Sequence, residues 1–330
     1  MTMDAAKPDD GRGWFSVKAP ARLHFGLLTA SPGDGSTAPR PTARLFGGVG
    51  LTIDAPATIV RVRRDAAWKA EGPSAARALA FAQVACQAFG IGPCHVVVDS
   101  AAPEHVGLGS GTQLALATAS AVAGAFALSP KTSLELATIL GRGRRSGIGL
   151  GAFQLGGFLV DAGKRDADAL PCLAVRVAFP LHWKIVLVLP RGLRGLHGDS
   201  ERQAFADLMG HANFQLDYLS RLVLLGMLPA IQEFDLDALG EALYEFNRRV
   251  GEEFQAVQGG VYAHPQTAAV AALLRQQGIT GIGQSSWGPA TFAIVAEDKA
   301  AWVVDLLKRK LAVAEDEVMC TAANNTGAIK

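Results

Sequence analysis

One run constrains this chain more than any other: PEHVGLGSGTQLALATASAVAGAFAL, residues 103–128. Glycines at 107, 109 and 111 permit a tight turn that other residues resist. From Thr112 onward the run is alanine-rich, which favours helix and leaves side chains small enough for close packing. A glycine turn opening a helix gathers free backbone N–H groups and the positive end of the helix dipole at one point, a seat for phosphate. Gly107, Leu108, Gly109, Ser110, Gly111 and Thr112 are therefore the candidate anion-binding residues. The loop is neither a Walker A loop, since no Lys follows, nor a dinucleotide fingerprint after the right strand. A close-packed helix entry with no ligand is the other reading of these residues. The apolar stretch 114–128 is too short to cross a membrane and reads as a buried helix.

Composition narrows the class. The 330 residues can bury a sizeable core and suit two medium domains. Lys plus Arg number 31 against 30 Asp plus Glu, and charged residues are 18% of the chain. That balance argues against a disordered chain, an acidic or basic tail protein and a general nucleic-acid coat, but not against a local anion site; no nucleic-acid or membrane partner is expected. Four cysteines lack metal-ligand spacing and fit a reducing compartment. The start, MTMDAAKPDDGRGW, has acids and no apolar core, so it is not a signal peptide. A cytoplasmic protein is expected.

The chain divides into a disordered leader (1–13), a domain at 14–170 with the glycine loop, and a second α+β domain at 171–330, where composition shifts near Pro171. An extended element from Phe15 feeds APARLHFGLL, and the Pro/Gly/Ser-rich stretch 29–43 suggests a surface loop or lid. Strands are expected at 58–64 and 94–99, and helices at 73–89, after Thr112 and at 133–140. Residues 141–163 read as a glycine loop leading to a strand. In the second half a buried strand is expected at 183–189, then a loop entering a helix at 191–205. Helices follow at 206–228, 235–252 and 265–277. Residues 278–295 read as strand, turn, strand, and 299–308 as the last long helix.

Three further clusters could carry chemistry. GRGRRSGIGLG (141–151) sets Arg142, Arg144 and Arg145 among small residues, and guanidinium groups match phosphate or carboxylate oxygens as planar forks. A solvated charge run is the plainer alternative. In ARLHFG (21–26), strand alternation puts Arg22 and His24 on one face. His24 could be a base, a donor or a satisfied core histidine. In GIGQSSWGP (281–289), Gln284 can offer hydrogen bonds and Trp287 can stack on a ring or fill a seam. The other histidines form no zinc pattern, and no GxSxG nucleophile elbow is present.

Taken in order, APARLHFGLL, RLFGGVGLTID, PEHVGLGSGTQLALA, GRGRRSGIGLGAFQLGGFLVDAG and GIGQSSWGPATF resemble the beta-ribofuranosylaminobenzene 5'-phosphate synthases of the GHMP-kinase-like superfamily. The resemblance runs from about residue 15 to 325. It implies an α+β, two-domain GHMP-kinase-like fold, with an N-terminal part like ribosomal protein S5 domain 2 and a ferredoxin-like C-terminal part. Kinases of the superfamily usually carry GLGSS and an SGxD run whose Asp acts near the accepting hydroxyl. Here the second position is Gly111, and the run is Ser146, Gly147, Ile148, Gly149, which argues against ordinary phosphoryl transfer.

The resemblance further implies condensation of 5-phosphoribosyl 1-diphosphate with 4-aminobenzoate or 4-hydroxybenzoate. Carbon dioxide and diphosphate are released, in tetrahydromethanopterin biosynthesis. It implies Mg²⁺ and a homodimer. Gly107–Thr112 and Arg142 would bind phosphate, while Arg144 and Arg145 would absorb leaving-group charge. Arg22 or His24 would orient the aryl carboxylate or ribose, and Gln284 and Trp287 would line the pocket. Asp161 reads as a Mg²⁺ contact or a surface turn residue. An ATP-dependent small-molecule kinase and a non-catalytic ligand-binding protein of the same fold are the alternatives.

Overall fold

The computed structural model describes residues 13–28, 44–166, 168–195 and 216–330. The expected leader (through residue 12), the 29–43 loop, and the 191–205 and 206–228 segments between 196 and 215 lie outside the described residues.

Two sheets form the frame. Strand β2 (Gly48–Arg64) is the spine of the first. Along one edge it pairs antiparallel with β1 (Phe15–Leu27). Its other edge is shared: β5 (Phe158–Asp161) pairs with its start and β4 (Cys94–Ser100) with its end. The short β3 (Lys69–Glu71) runs parallel to β4, and β6 (Leu173–Val177) closes the far side on β5. That last pairing moves the sheet boundary past the expected break at Pro171. The half-buried, alternating LAVRV is a first-sheet strand, and the second sheet begins at β7 (Trp183–Val188).

The second sheet runs β10 (Val318–Ala322), β7, β9 (Thr291–Ala296), β8 (Gly281–Gln284), all antiparallel. Period-two alternation lets β7 serve two cores. Ile185 and Leu187 join the large core shared with β1, while Val186 and Val188 join the core on the opposite face.

The alanine-rich run becomes α2 (Ser110–Ala125), buried on every side between the first sheet and α1 (Ala75–Phe89). Only small residues allow such an approach: a Cβ on Gly124 would stand 2.4 Å from the Phe15 ring. Helix α3 (Ser133–Ile139) opens with a capping box between Thr132 and Glu135. The glycine stretch expected as loop contains a helix, α4 (Ile148–Gln154). Packing overrides propensity there, because Gly149 lies against Thr112 and Gly151 against Leu159 and Leu173.

In the second half, α5 runs from Leu216 to Glu233 through a π-helical turn at Leu222–Met227. Helix α6 (Leu236–Glu253) follows an Asp235 N-cap. Helices α7 (Pro265–Gln276) and α8 (Glu297–Leu311) cover the outer face of the second sheet. Among the described residues, no helix is long and apolar enough to cross a membrane.

Candidate active site

A cavity of about 770 Å³ opens where the two sheets meet. Its wall comes from β1, the 141–149 loop, α6 and the turn after β8. The chain is stitched across this seam by buried hydrogen bonds. Asn247 on α6 donates to Phe25 O (2.7 Å) and Gln284 O (2.9 Å) and accepts from Gln284 N (2.9 Å). Ser285 Oγ accepts from His24 N (2.9 Å) and donates to Gly107 O (2.7 Å). Ser286 N donates to His24 O at 2.8 Å. Each polar atom named in these contacts has a partner, which offsets the cost of burying it.

The wall has two chemistries. Arg22, Arg142, Arg144 and Arg145 line the cavity, and so do Leu27, Phe46, Val250, Phe254, Val261 and Trp287. No Asp or Glu lines the described cavity. Among the described residues, no group of three His, Cys, Asp or Glu gathers in metal-binding geometry.

Arg22 and His24 both reach the cavity from one face of β1. Arg22 lies over the glycine turn: its Nη1 donates to Gly107 O at 2.5 Å, and its side chain stands 3.1 Å from where a Cβ on Gly109 would be. The turn needs its glycines. Gly107 and Gly109 have φ of +94° and +73°, and a Cβ on Gly107 would stand 2.2 Å from Ser285 O. Gly109 caps α2, yet of residues 107–112 only Thr112 lines the cavity. Arg77 of α1, which sequence reasoning missed, covers Gly111, with Nη2 2.9 Å from a Cβ built there. Arg77 pairs with Glu104, which also accepts from Ser74 Oγ at 2.8 Å.

Arg142 stacks over Phe81 at 4.9 Å. Burial first, then the charge of Arg77, lowers its pKa, so added negative charge there would relieve both costs. Arg144 is exposed at the cavity mouth.

Gln284 lines the cavity, but its amide is engaged internally: Oε1 accepts from Ala263 N (2.7 Å) and Nε2 donates to Ser286 O (3.0 Å). Trp287 packs edge-on to Phe254 with ring centroids 4.5 Å apart, an aromatic corner.

Ser146 of the arginine loop and Asp161 behind the cavity wall support the site. Asp161, at the end of β5, is fully buried. Its Oδ2 accepts from Gly147 N (2.5 Å) and Ser146 Oγ (3.3 Å), and its Oδ1 from Gly163 N (2.8 Å). Burial raises its pKa, while these donors and Arg44 oppose that rise. Asp161 is thus an internal clamp on the loop that carries Arg144 and Arg145, not a surface turn residue. Ser146 Oγ in turn meets His24 Nε2 at 3.3 Å. Burial, and secondarily Arg22, pushes the His24 imidazole down to about 3, so it is neutral at pH 7. The signal for Asp161 was its place at a strand end after paired glycines; nothing local tied it to residue 147.

Fold and wall together define a class: an α+β GHMP-type enzyme with a glycine loop at the start of a buried helix. The GHMP kinases N terminal domain profile matches residues 75–157, and the GHMP kinases C terminal profile residues 227–311. The mevalonate pyrophosphate decarboxylase of Streptococcus pyogenes has the same fold, with TM-score 0.66, 12% identity, and 98% and 99% of the two chains covered. So does a homoserine kinase from Cytophaga hutchinsonii, with TM-score 0.57, 14% identity, and 98% and 99% covered. Sequence resolves the family within that class. The beta-ribofuranosylphenol 5'-phosphate synthase of Methanothermobacter thermautotrophicus is 32% identical over 85% of this chain and 88% of its own. Its counterpart in Archaeoglobus fulgidus is 30% identical over 84% and 87%. The chain belongs to the beta-ribofuranosylphenol 5'-phosphate synthase family, a family of enzymes within the GHMP-kinase superfamily.

Proposed function

We propose that this enzyme joins the ribose carbon of 5-phosphoribosyl 1-diphosphate to the ring of 4-hydroxybenzoate or 4-aminobenzoate, releasing diphosphate and carbon dioxide, as a step of tetrahydromethanopterin biosynthesis. The observation that carries this reading is the mixed cavity wall, which holds four arginines together with the aromatic corner of Phe254 and Trp287. A diphosphate leaving group needs fixed positive charge where negative charge develops. An aryl ring needs an apolar slot.

In this reading Arg142, Arg144 and Arg145 hold the phosphates. Diphosphate departs with the bonding electrons, leaving an oxocarbenium-like ribose carbon. The ring carbon bearing the carboxylate forms the new bond. The carboxyl carbon's bond to the ring then breaks, its electrons restore aromaticity, and carbon dioxide leaves. The kinase alternative lacks its expected Asp: Gly149 stands in that place, and a Cβ there would already press on Thr112 at 3.2 Å.

Mg²⁺ belongs to this proposal as an ion carried by the donor's diphosphate. The described wall offers it no carboxylate, and both Asp161 oxygens are engaged. A homodimer and a cytoplasmic location stand with the same proposal. Leu224 and Leu225 of α5 and neighbouring Phe234 offer apolar surface for a dimer.

The deciding experiment is product mass analysis with the diphosphate donor, Mg²⁺ and each aryl acid in turn. A decarboxylated ribosyl-aryl phosphate with stoichiometric diphosphate is expected. Phosphorylation of a hydroxyl acceptor by ATP, with no carbon dioxide from the donor mixture, would overturn the reading.

A further inference from the structure

The hydroxyl of Ser146 has three polar neighbours, and two of them have fixed roles. Ile148 N, at 3.3 Å, can only donate. Asp161 Oδ2, at 3.3 Å, can only accept while the carboxyl is ionised. Backbone N–H groups of Gly147 and Gly163 donate to that carboxylate, and Arg44, bonded to the neighbouring Ala162 and Gly163 carbonyls, is the cation facing it. A hydroxyl has one hydrogen and two lone pairs. The hydrogen therefore goes to Asp161, and one lone pair takes the Ile148 N–H. The second lone pair is left for the third neighbour, His24 Nε2, at 3.3 Å.

We propose that Asp161 and Ser146 are positioning residues that fix His24 as its Nε2–H tautomer, leaving Nδ1 as the proton-accepting atom of a cavity-lining imidazole. The fit around the ring supports a fixed orientation. Gly48 leaves room for it, since a Cβ there would stand 3.0 Å from Nε2. The backbone of His24 is held on both sides, by Ser285 Oγ and Ser286 N.

The consequence for substrate rests on the proposed reaction. A lone pair on Nδ1 selects a group that carries a hydrogen. The aryl carboxylate has none to offer, so His24 is matched to the 4-hydroxyl or 4-amino group. As the ring carbon bonds to ribose, the 4-hydroxyl becomes that of a protonated dienone, a far stronger acid than a phenol. A weakly basic imidazole can then take its proton. When the carboxyl carbon leaves as carbon dioxide, its bonding electrons return to the ring, the oxygen becomes a phenolate, and Nδ1–H returns the proton. Atoms and charge balance with no further reactant.

The test reads the tautomer and the rate separately. Imidazole ¹⁵N shifts are recorded on ¹⁵N-histidine-labelled protein without substrate, with His24→Gln assigning the signal. A neutral His24 with hydrogen on Nε2 is expected in the wild type and in Ser146→Thr, and a mixture of tautomers in Ser146→Ala and Asp161→Asn. In Ser146→Ala, kcat with 4-hydroxybenzoate should fall about 10- to 100-fold, with the KM for the diphosphate donor changing less than threefold. Wild-type hydrogen on Nδ1, or an unchanged tautomer in folded Ser146→Ala, overturns the positioning role. A shifted tautomer with unchanged kcat overturns the assignment to the 4-substituent. The spectra need no turnover, so failure of the proposed reaction is distinguishable from failure of the tautomer assignment.

Discussion

Arg144 is an exposed residue at the cavity wall, and its carbonyl accepts from Lys164 Nζ at 2.9 Å. Truncation leaves that backbone anchor intact. Arg144→Ala should lower kcat/KM for the diphosphate donor roughly 10- to 100-fold, the worth of a charge-assisted phosphate contact. Stability should change by less than about 0.5 kcal/mol in a denaturant titration, as for other exposed positions. Unchanged steady-state kinetics would remove Arg144 from the phosphate site. Individual residues were legible in proportion to how local their reasons are. Arg22 and His24 share a face because a strand alternates, which two letters of sequence suffice to say. Arg77, Ser146, Asp161 and Asn247 were not assigned these contacts, because their partners lie far along the chain. Asn247, for example, bonds Phe25 and Gln284. Gln284 reads from sequence as a group facing substrate, whereas its amide is spent holding Ala263 and Ser286.

Among the elements, the glycine turn before α2 shows why the pattern was readable and its detail was not. Three glycines before an alanine run announce a tight entry to a packed helix. They do not announce that Arg22 and Arg77 lie over the turn, or that Ser285 from the other sheet abuts Gly107. Gly107→Ala combines a left-handed backbone with a Cβ 2.2 Å from the Ser285 carbonyl oxygen. It should destabilise the protein by about 2 kcal/mol or more, read as a lowered urea midpoint. Gly90→Ala is the control. Its φ is +66° with nothing within 4 Å of the new Cβ, so it should cost less. Equal losses would mean that backbone strain alone, and not the contact across the seam, sets the cost. Helix α4 and strand β6 escaped the sequence reading for a related reason: a glycine-rich heptad and a five-residue strand owe their structure to neighbours, not to propensity.

For the whole molecule, the neutral imidazole at the seam between the sheets links stability to pH. His24 is held near 3 in the folded chain, against an ordinary value of about 6.5 once unfolded. Between those values the unfolded chain binds the extra proton, so stability rises with pH across that window and is lost as the pH falls through it. From this residue the loss between pH 7 and pH 5 amounts to about 2 kcal/mol. Asp161 acts in the opposite sense. Burial raises its pKa, so the folded chain takes a proton more readily and recovers stability on acidification. The readout is therefore the difference between wild type and His24→Gln, which cancels Asp161 and the surface carboxylates. In urea titrations, the stability lost by the wild type from pH 7 to pH 5 should exceed that lost by His24→Gln by about 2 kcal/mol. Parallel losses in the two proteins would mean that His24 titrates near its ordinary value in the folded chain. The seam would then admit a charged imidazole beside Arg22 as the pH falls toward 5.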